Sequence, residues 1–500
     1  MVNDLNFVTP ESEGISSESL LEFIDYFKEL RINVHSFMVV RNGNIVAEGY
    51  YKPFDKDTKK RLYSCSKSIT SFAIGKMYGE GLIDLHAPLV SYFPEVKNPD
   101  PVMAKVTVED VLMMCIPQGK SSYCHLVQPD DPDIVEDEDW SVSFFSGRSV
   151  ADKPSGRLFR YNSHGSSVLA DLVKHVTGKN FLDYLRPELD KIGVSKDIDC
   201  IMSNTGVQWG ASGVLATTRD FAKLGELLLN LGEYKGEQLL PRDYMERAVS
   251  KLRATVYSEC IKPGSYGYGY QMWVEPYGYG MHGMRGQVVY CFPDKNMMVV
   301  INSNEPEYAV SLYYAASRLY KFAGAPIPEA PEAYARLKGV IDSLRIDRSF
   351  GEAHSELESM ISGKTYVLNP NEAGVESFSL DFSGDEGIFT FVKCGEHKRL
   401  PFGYGVYSDT TFPDKSFYGK MSNVKSGREF RTISTGSWPL PDRLFIIADV
   451  SDDTPGSLGI SFEFYGDEVA FEMRGSGEGI LGNYNCTASG KIKEISKIAN

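Results

Sequence analysis

The apolar periodicity of this 500-residue chain changes once, near residue 351, and that change governs how it can fold. Before it, helical stripes alternate with strands. Leu20, Ile24 and Phe27 lie on one helical face, with Leu21 and Leu30 beside it. Residues 36–40 and 45–50 flank Asn42-Gly43, a two-residue hairpin signal because both turn positions favour positive φ. Ile69, Phe72, Ala73 and Met77 make a helical stripe over residues 64–79, and Val168, Leu169, Leu172 and Val176 make another that stops at Gly178. Thr217 and Asp220 open a capped helix carrying Phe221, Leu224, Leu227 and Leu228, closed by Gly232. Residues 270–274, 287–292 and 297–301 read as strands, with a turn at 293–296 and a last helix near 308–322. Strands at both ends around a helical middle predict an α+β domain, residues 1–325, built on one antiparallel sheet.

Residues 325–335 are rich in Pro and Ala and read as a linker or joining helix within 326–350. Over 351–500 the segments 378–382, 387–392, 444–450, 458–465 and 468–473 alternate between apolar and polar and are separated by Gly, Asp and Asn. This predicts a separate all-β unit, a small barrel or sandwich.

With 52 basic against 67 acidic residues the net charge is −15, which repels polyanions. Nucleic acid and anionic membrane are therefore not expected as partners. No apolar run reaches the roughly 18 to 20 residues that cross a bilayer, and the opening MVNDLNFVTPESEG has neither the basic nor the apolar region of a secretory leader. Eight scattered cysteines without a C-x-x-C pair predict reduced thiols, not a disulfide frame or zinc site. A cytoplasmic location is expected; whether the chain forms a homo-oligomer stays open.

Several familiar strings fail in context. Gly477-x-Gly479-x-x-Gly482 lies in the β-rich tail with no helix after it and reads as turn glycines. Gly210-Ala211-Ser212-Gly213 has the wrong spacing for a nucleophile elbow of the G-x-S-x-G kind. The acidic stretch 130–139 reads as a solvated face. Cys124 and His125 are candidate pocket-lining residues with no metal set around them.

What survives is Ser64-Cys65-Ser66-Lys67, which opens an apolar helix. A three-residue offset puts hydroxyl and ammonium on the same helical face. Serine is a poor nucleophile until a base takes its proton, and the lysine either is that base or holds another in its basic form. At the first turn, Ser64 also has helix N–H groups aimed past it, as a developing oxyanion needs. A plain N-cap explains the serine but not the lysine one turn on. A second copy, Ser422-Asn423-Val424-Lys425, lacks helical periodicity and reads as chance.

YSCSKSIT followed by GLIDLHAPLVSYFPE resembles the serine β-lactamase and penicillin-binding-protein-like hydrolases, in the branch of class C β-lactamases, esterases, D-aminopeptidases and 6-aminohexanoate-dimer hydrolase. The resemblance covers about residues 10–320 and implies a β-lactamase-like α/β sandwich with a helical subdomain. Phe159-Arg160-Tyr161-Asn162-Ser163 is similar to the family's Y-x-N/S element, which implies that Tyr161 relays the Ser64 proton beside Lys67. An isolated phenol titrates near a pKa of about 10 and needs such a cationic neighbour. Ser163 stands where many relatives have Asn, leaving its contact to substrate or lysine open.

Met281-His282-Gly283-Met284-Arg285-Gly286-Gln287 resembles the family's K/H-T/S-G strand, with Met281 at the usual Lys/His position and His282 at the Thr/Ser position. The resemblance implies an oxyanion hole from the N–H groups of Ser64 and Met284, next to Gly283. His282 is expected either to be structural or to hydrogen-bond a substrate or the Tyr161–Lys67 pair. Loss of the Lys/His position weakens the case for a carboxylate-bearing substrate. QWGASGVLATTRDFAKLGELLLNLG is also family-like and reads as support for the site. The tail, through ISGKTYVLNPNEAGVESFSLDF and LPFGYG, resembles the lipocalin-like barrels that follow some of these hydrolases.

The expectation is a serine hydrolase that forms an acyl-enzyme on a small-molecule ester or amide, with no metal or organic cofactor. A β-lactamase or D-stereospecific peptidase is the alternative within that chemistry, and a non-turnover ligand-binding sensor or scaffold the alternative outside it.

Overall fold

The computed structural model describes residues 6–117, 140–146, 155–203, 205–255, 267–305, 310–414, 429–452, 455–477 and 479–493. The acidic stretch 130–139, Cys124, His125 and the Ser422-x-x-Lys425 string lie outside them. The chain divides into two compact units, one reaching Leu344 and the other starting at Arg345.

The first unit is a sheet covered by helices on both faces. Its principal strands are β1 (Val34–Arg41), β2 (Asn44–Tyr50), β3 (Trp273–Glu275), β4 (Gly278–Gly283), β5 (Gln287–Phe292) and β6 (Met297–Ser303). Space order runs from Asn6–Phe7 through β2, β1, β6, β5, β4 and β3 to Gly267–Tyr268 and Arg253–Ala254. The pairings are antiparallel except that of Asn6–Phe7 with β2. Thus β1, from the start of the domain, pairs directly with β6, from its end. Asn42 (φ 50°) and Gly43 (φ 75°) take the left-handed turn that the hairpin demands.

Strand alternation divides the apolar residues between two cores. Met38, Val40, Met281, Val289, Met298 and Val300 pack beneath the helical subdomain, which includes α2 (Cys65–Gly79), α3 (Val108–Leu112), α4 (Ser163–Thr177) and α5 (Thr218–Leu229). Phe37, Val39, Val288, Tyr290, Val299 and Ile301 face the opposite core, shared with α1 (Ser17–Glu29), α6 (Val310–Phe322) and α7 (Pro331–Ser343). Burial on both faces is why these strands read as continuous apolar runs.

The stretch read as a linker or joining helix holds a helix. Pro331 starts α7, whose Tyr334, Leu337 and Ile341 meet the core shared with α1, so this helix is part of the first unit. One expectation changes: residues 270–274 are not one strand, because Gln271 (φ 61°) turns the chain between Gly267–Tyr268 and β3. Its side chain explains the turn. Nε2 donates to the carbonyls of Val111 (3.0 Å) and Leu112 (2.9 Å), while Oε1 accepts from Ser166 (2.6 Å). The Gln271 carbonyl accepts from Ser68 of α2 at 2.7 Å. One residue therefore ties α2, α3 and α4 to the edge of the sheet.

Helix α2 is buried around its whole circumference from Cys65 to Gly75, so its hydroxyls must find partners inside the protein. Ser66 accepts from the Val214 N–H (3.0 Å) and Thr70 donates to the Gly210 carbonyl (3.1 Å). Ser71 donates to the Tyr270 carbonyl at 2.8 Å. Hydroxyls on different sides of the helix thus fasten it to the 210–214 and 270–271 segments.

The second unit is a closed barrel of nine strands: β7 (Thr365–Leu368), β8 (Val375–Ser383), β9 (Glu386–Lys393), β10 (Glu396–Tyr404), β11 (Arg431–Leu440), β12 (Arg443–Val450), β13 (Gly456–Tyr465), β14 (Glu468–Ser476) and β15 (Cys486–Ile492). Neighbours pair antiparallel, β15 returns to β7, and a short parallel contact of β10 with β11 completes the ring. Closure removes most of the free strand edges. Phe378, Phe389, Phe462 and Phe471 fill the interior with mutual ring contacts. The Gly479–Tyr484 turn joins β14 to β15, so the glycine string there belongs to a hairpin.

Gln271→Leu is expected to destabilise the first unit by roughly 2–4 kcal/mol, because two buried carbonyls and the Ser166 hydroxyl lose their partner. Urea unfolding of the variant against wild type measures it; a change under about 0.5 kcal/mol contradicts the role given to Gln271.

His175, in the last turn of α4, carries a pH effect. Its hydrogen bond to buried Asp171, helped by Glu95, raises its pKa from 6.5 to about 9 against the opposing effect of burial. The folded state holds this proton more tightly than the unfolded one. The stabilisation is therefore complete below the unfolded value and is lost as pH rises through about 9. Thermal melts from pH 6 to 10 should fall more steeply for wild type than for His175→Gln, and parallel curves would refute this.

Candidate functional site

Ser64 sits at the amino end of α2 and is half-buried. Tyr63, just before it, has φ 47°, a left-handed conformation that a bulky side chain adopts only under constraint. The Tyr63 ring is covered by the Arg61 guanidinium at 4.4 Å, and Arg61 also lies 4.7 Å from the Trp209 ring. After this bend the Cys65 N–H donates to the Leu62 carbonyl (3.1 Å) and the Lys67 N–H to the Ser64 carbonyl (3.1 Å). The Ser64 hydroxyl makes no capping bond to its own helix, so a plain N-cap does not account for it.

Lys67 lies one turn on and is 1% exposed. Its ammonium donates to Ser64 Oγ at 3.1 Å and to the Ala211 carbonyl at 2.6 Å. The same Nζ lies 5.1 Å from the centre of the Tyr161 ring. A buried charge is tolerated only with such partners.

Tyr161, 9% exposed, precedes the N-cap of α4. The flanking residues hold its backbone: the Arg160 N–H donates to the Met114 carbonyl (2.8 Å) and the Asn162 N–H to Met114 Sδ (3.0 Å). The Asn162 side chain is occupied as the cap, accepting from the Gly165 N–H at 2.7 Å. The Tyr161 ring stacks on Trp273 of β3, with centroids 5.7 Å apart and planes 21° from parallel.

The β4 residues separate by strand alternation. Met281 is fully buried in the core beneath α2. The backbone at Gly283 abuts the bend at Ser64: a Cβ there would lie 2.3 Å from the Leu62 carbonyl and 3.3 Å from Cys65 Sγ. Met284 follows, half-buried, in the turn between β4 and β5. His282, 4% exposed, turns its Nε2 onto the Glu275 carboxylate and stacks on Trp273 at 5.8 Å. Ser163 is the first residue of α4, and its hydroxyl makes no hydrogen bond among the described residues.

The structure therefore brings Ser64, Lys67 and Tyr161 together, sets the Gly283 backbone against the same bend, and brings His282 against Glu275. Sequence reasoning missed three contributors. The Ala211 carbonyl leaves no side-chain signature, Trp273 was read only as part of a strand, and Glu275 lay just beyond that strand and was not singled out. Among the described residues no group of three or more His, Cys, Asp or Glu is arranged to hold a metal ion, and no helix is long and apolar enough to cross a membrane.

A family model described as Beta-lactamase matches residues 23–320. The 6-aminohexanoate-dimer hydrolase of Paenarthrobacter ureafaciens is 27% identical over 230 residues, 43% of this chain. The chain spans 57% of the length of that relative. A Bacillus anthracis structure provisionally assigned as a 6-aminohexanoate-dimer hydrolase shares the fold with a TM-score of 0.50 at 21% identity, covering 67% of this chain and 89% of its own. A family VIII carboxylesterase does so with a TM-score of 0.50 at 15% identity, covering 63% and 99%. With more than half of its length matched, the chain belongs to the Beta-lactamase family.

Proposed function

We propose that the chain is a serine hydrolase that cleaves a small-molecule ester or linear amide through an acyl-enzyme. The observation that carries this reading is the buried Lys67 ammonium resting on Ser64 Oγ at 3.1 Å. Ser64 attacks the substrate carbonyl as its proton passes to Tyr161, and the nearby ammonium stabilises negative charge on the phenol oxygen. The N–H groups of Ser64 and Met284 receive the oxyanion. The proton then reaches the leaving alcohol or amine as its bond to carbon breaks, leaving an ester on Ser64. Water, deprotonated by the same relay, attacks that ester and releases the acid and the free serine.

The chemistry is assigned to the first unit, which holds all of these residues. The names of the relatives, a 6-aminohexanoate-dimer hydrolase and a carboxylesterase, favour linear amides and esters. So does β4. Met281 brings no cation to the strand, and His282 is engaged by Glu275, which disfavours the carboxylate-bearing substrates of β-lactamases and D-peptidases. The direct Lys67–Ser64 contact supports one variant of the mechanism, in which Lys67 enters the reaction as the neutral amine and itself accepts the serine proton.

Ser64→Ala should abolish both p-nitrophenyl butyrate hydrolysis and labelling by a fluorophosphonate probe. Continued turnover by that variant would end the reading. A single stoichiometric burst from wild type, followed by silence, would make the chain a ligand sensor instead. Lys67→Ala is expected to lower kcat by about 10²- to 10⁴-fold in a folded protein. Tyr161→Phe should match that loss if the phenol carries the proton, whereas a loss under about tenfold assigns the transfer to Lys67 alone.

A further inference from the structure

Beneath the candidate site lies a column of side chains that the proposed chemistry does not use. It starts at Glu275 on β3, 2% exposed, whose carboxylate touches His282 on β4. The His282 ring stacks on Trp273 with 15° between planes, and Trp273 stacks on Tyr161 with 21°. Beyond Tyr161 comes the Lys67 ammonium. Trp273 is itself 2% exposed and is wedged edge-on by Tyr268, at 4.9 Å and 83°.

Register builds this column. Trp273 lies opposite Gly280 and Glu275 opposite Gly278, so two glycines face the two large side chains. Both glycines are required by close approach. A Cβ at Gly278 would fall 1.9 Å from the Cys291 carbonyl, and one at Gly280 2.2 Å from that of Val289 and 3.5 Å from His282 Nε2. The space above Gly280 is where the His282 ring leans toward Glu275.

Stability alone is a poor reason for such a group. Buried polar side chains lose hydration, and apolar residues of similar volume often serve at least as well. What the close carboxylate–imidazole contact offers is a fixed place for the His282 ring, and the ring contacts carry that constraint through Trp273 to Tyr161. Tyr161 needs this, because it lies on a non-helical segment before its helix starts, where side-chain orientation has to come from packing. Proton transfer works only within hydrogen-bond reach, and a displacement of about 1 Å can cost on the order of 10²-fold in rate.

We infer that Glu275, His282 and Trp273 are positioning residues that fix the plane of the Tyr161 ring beside Lys67 and Ser64. The inference rests on the acyl-enzyme reading above and adds that His282 serves the relay from behind, without touching substrate.

Steady-state kinetics on p-nitrophenyl butyrate test it. Trp273→Leu should lower kcat by at least about tenfold while KM stays within about twofold, and Trp273→Phe should restore most of kcat. Glu275→Gln should act in the same direction through His282. In a Tyr161→Phe background, adding Trp273→Leu should cost less than about twofold, since the ring it positions no longer carries a proton. An unchanged kcat in folded Trp273→Leu, a rise confined to KM, or a full additional loss in the Tyr161→Phe background would each overturn the positioning role. A Ser64→Ala protein run in parallel keeps the two ideas apart. If it is inactive while the column variants are neutral, only the column fails; if it still turns over, the acyl-enzyme reading fails.

Discussion

Lys67 is an ammonium group taken almost wholly out of water, and the rest of the site follows from what that demands. Desolvating such a charge costs several kcal/mol unless acceptors replace the lost hydration. The replacements include Ser64 Oγ one turn back and, from far along the chain, the Ala211 carbonyl and the face of the Tyr161 ring. Each must be delivered to within bonding reach. The Ala211 carbonyl is delivered by a loop that Arg61 holds, donating to the Ser212 carbonyl at 2.9 Å while lying against the Trp209 and Tyr63 rings. Tyr161 is delivered by the Met114 clamp and the Trp273 stack.

The backbone around this charge is strained in a consistent way. Tyr63, Met114, Gln271 and Arg285 all have φ between 47° and 61°, though none is glycine. Left-handed conformations of this kind cost of order 1–3 kcal/mol each and persist where the surroundings over-determine them. The surroundings do so here. Met114 accepts backbone N–H groups through both its carbonyl and its sulphur, and Gln271 is tied to three helices. Arg285, after β4, is anchored by its guanidinium on Asn304. Four bends of this type in one neighbourhood let α2, the Tyr161 segment and the end of β4 converge at angles that relaxed turns would not give.

The parts of this arrangement that depend on local chain chemistry were legible in the sequence. Asn42-Gly43 announced its turn, Thr217 and Asp220 their helix start, and the apolar spacing of residues 64–79 a helix with Ser64 and Lys67 on one side. Tyr161 needed more than periodicity, since a lone tyrosine carries no spacing signal, and it was found through the resemblance of its motif to a family. What stayed hidden depends on long-range contact. The Gln271 bend is held by carbonyls about 160 residues away, and nothing in YQMWVE marks it as other than a strand. At α7 the prolines left the reading at a linker or joining helix, although Tyr334, Leu337 and Ile341 carry an apolar stripe that docks it on the core. A backbone acceptor such as the Ala211 carbonyl cannot be read from any side chain.

Strand β4 shows how little sequence separates the different tasks at this site. Side chains alternate across a sheet, so neighbours on one strand serve opposite faces. Met281 fills the core beneath α2, His282 turns to Glu275 and Trp273, and Gly283 brings its bare backbone against the bend that carries Ser64. An ionisable side chain at 281 would enter an apolar core and face the desolvation penalty that Lys67 offsets with its polar partners. A branched side chain at 283 would strike the Leu62 carbonyl and push the strand away from the bend. What this strand presents beside the bend at Ser64 is therefore bare backbone and not a charged side chain.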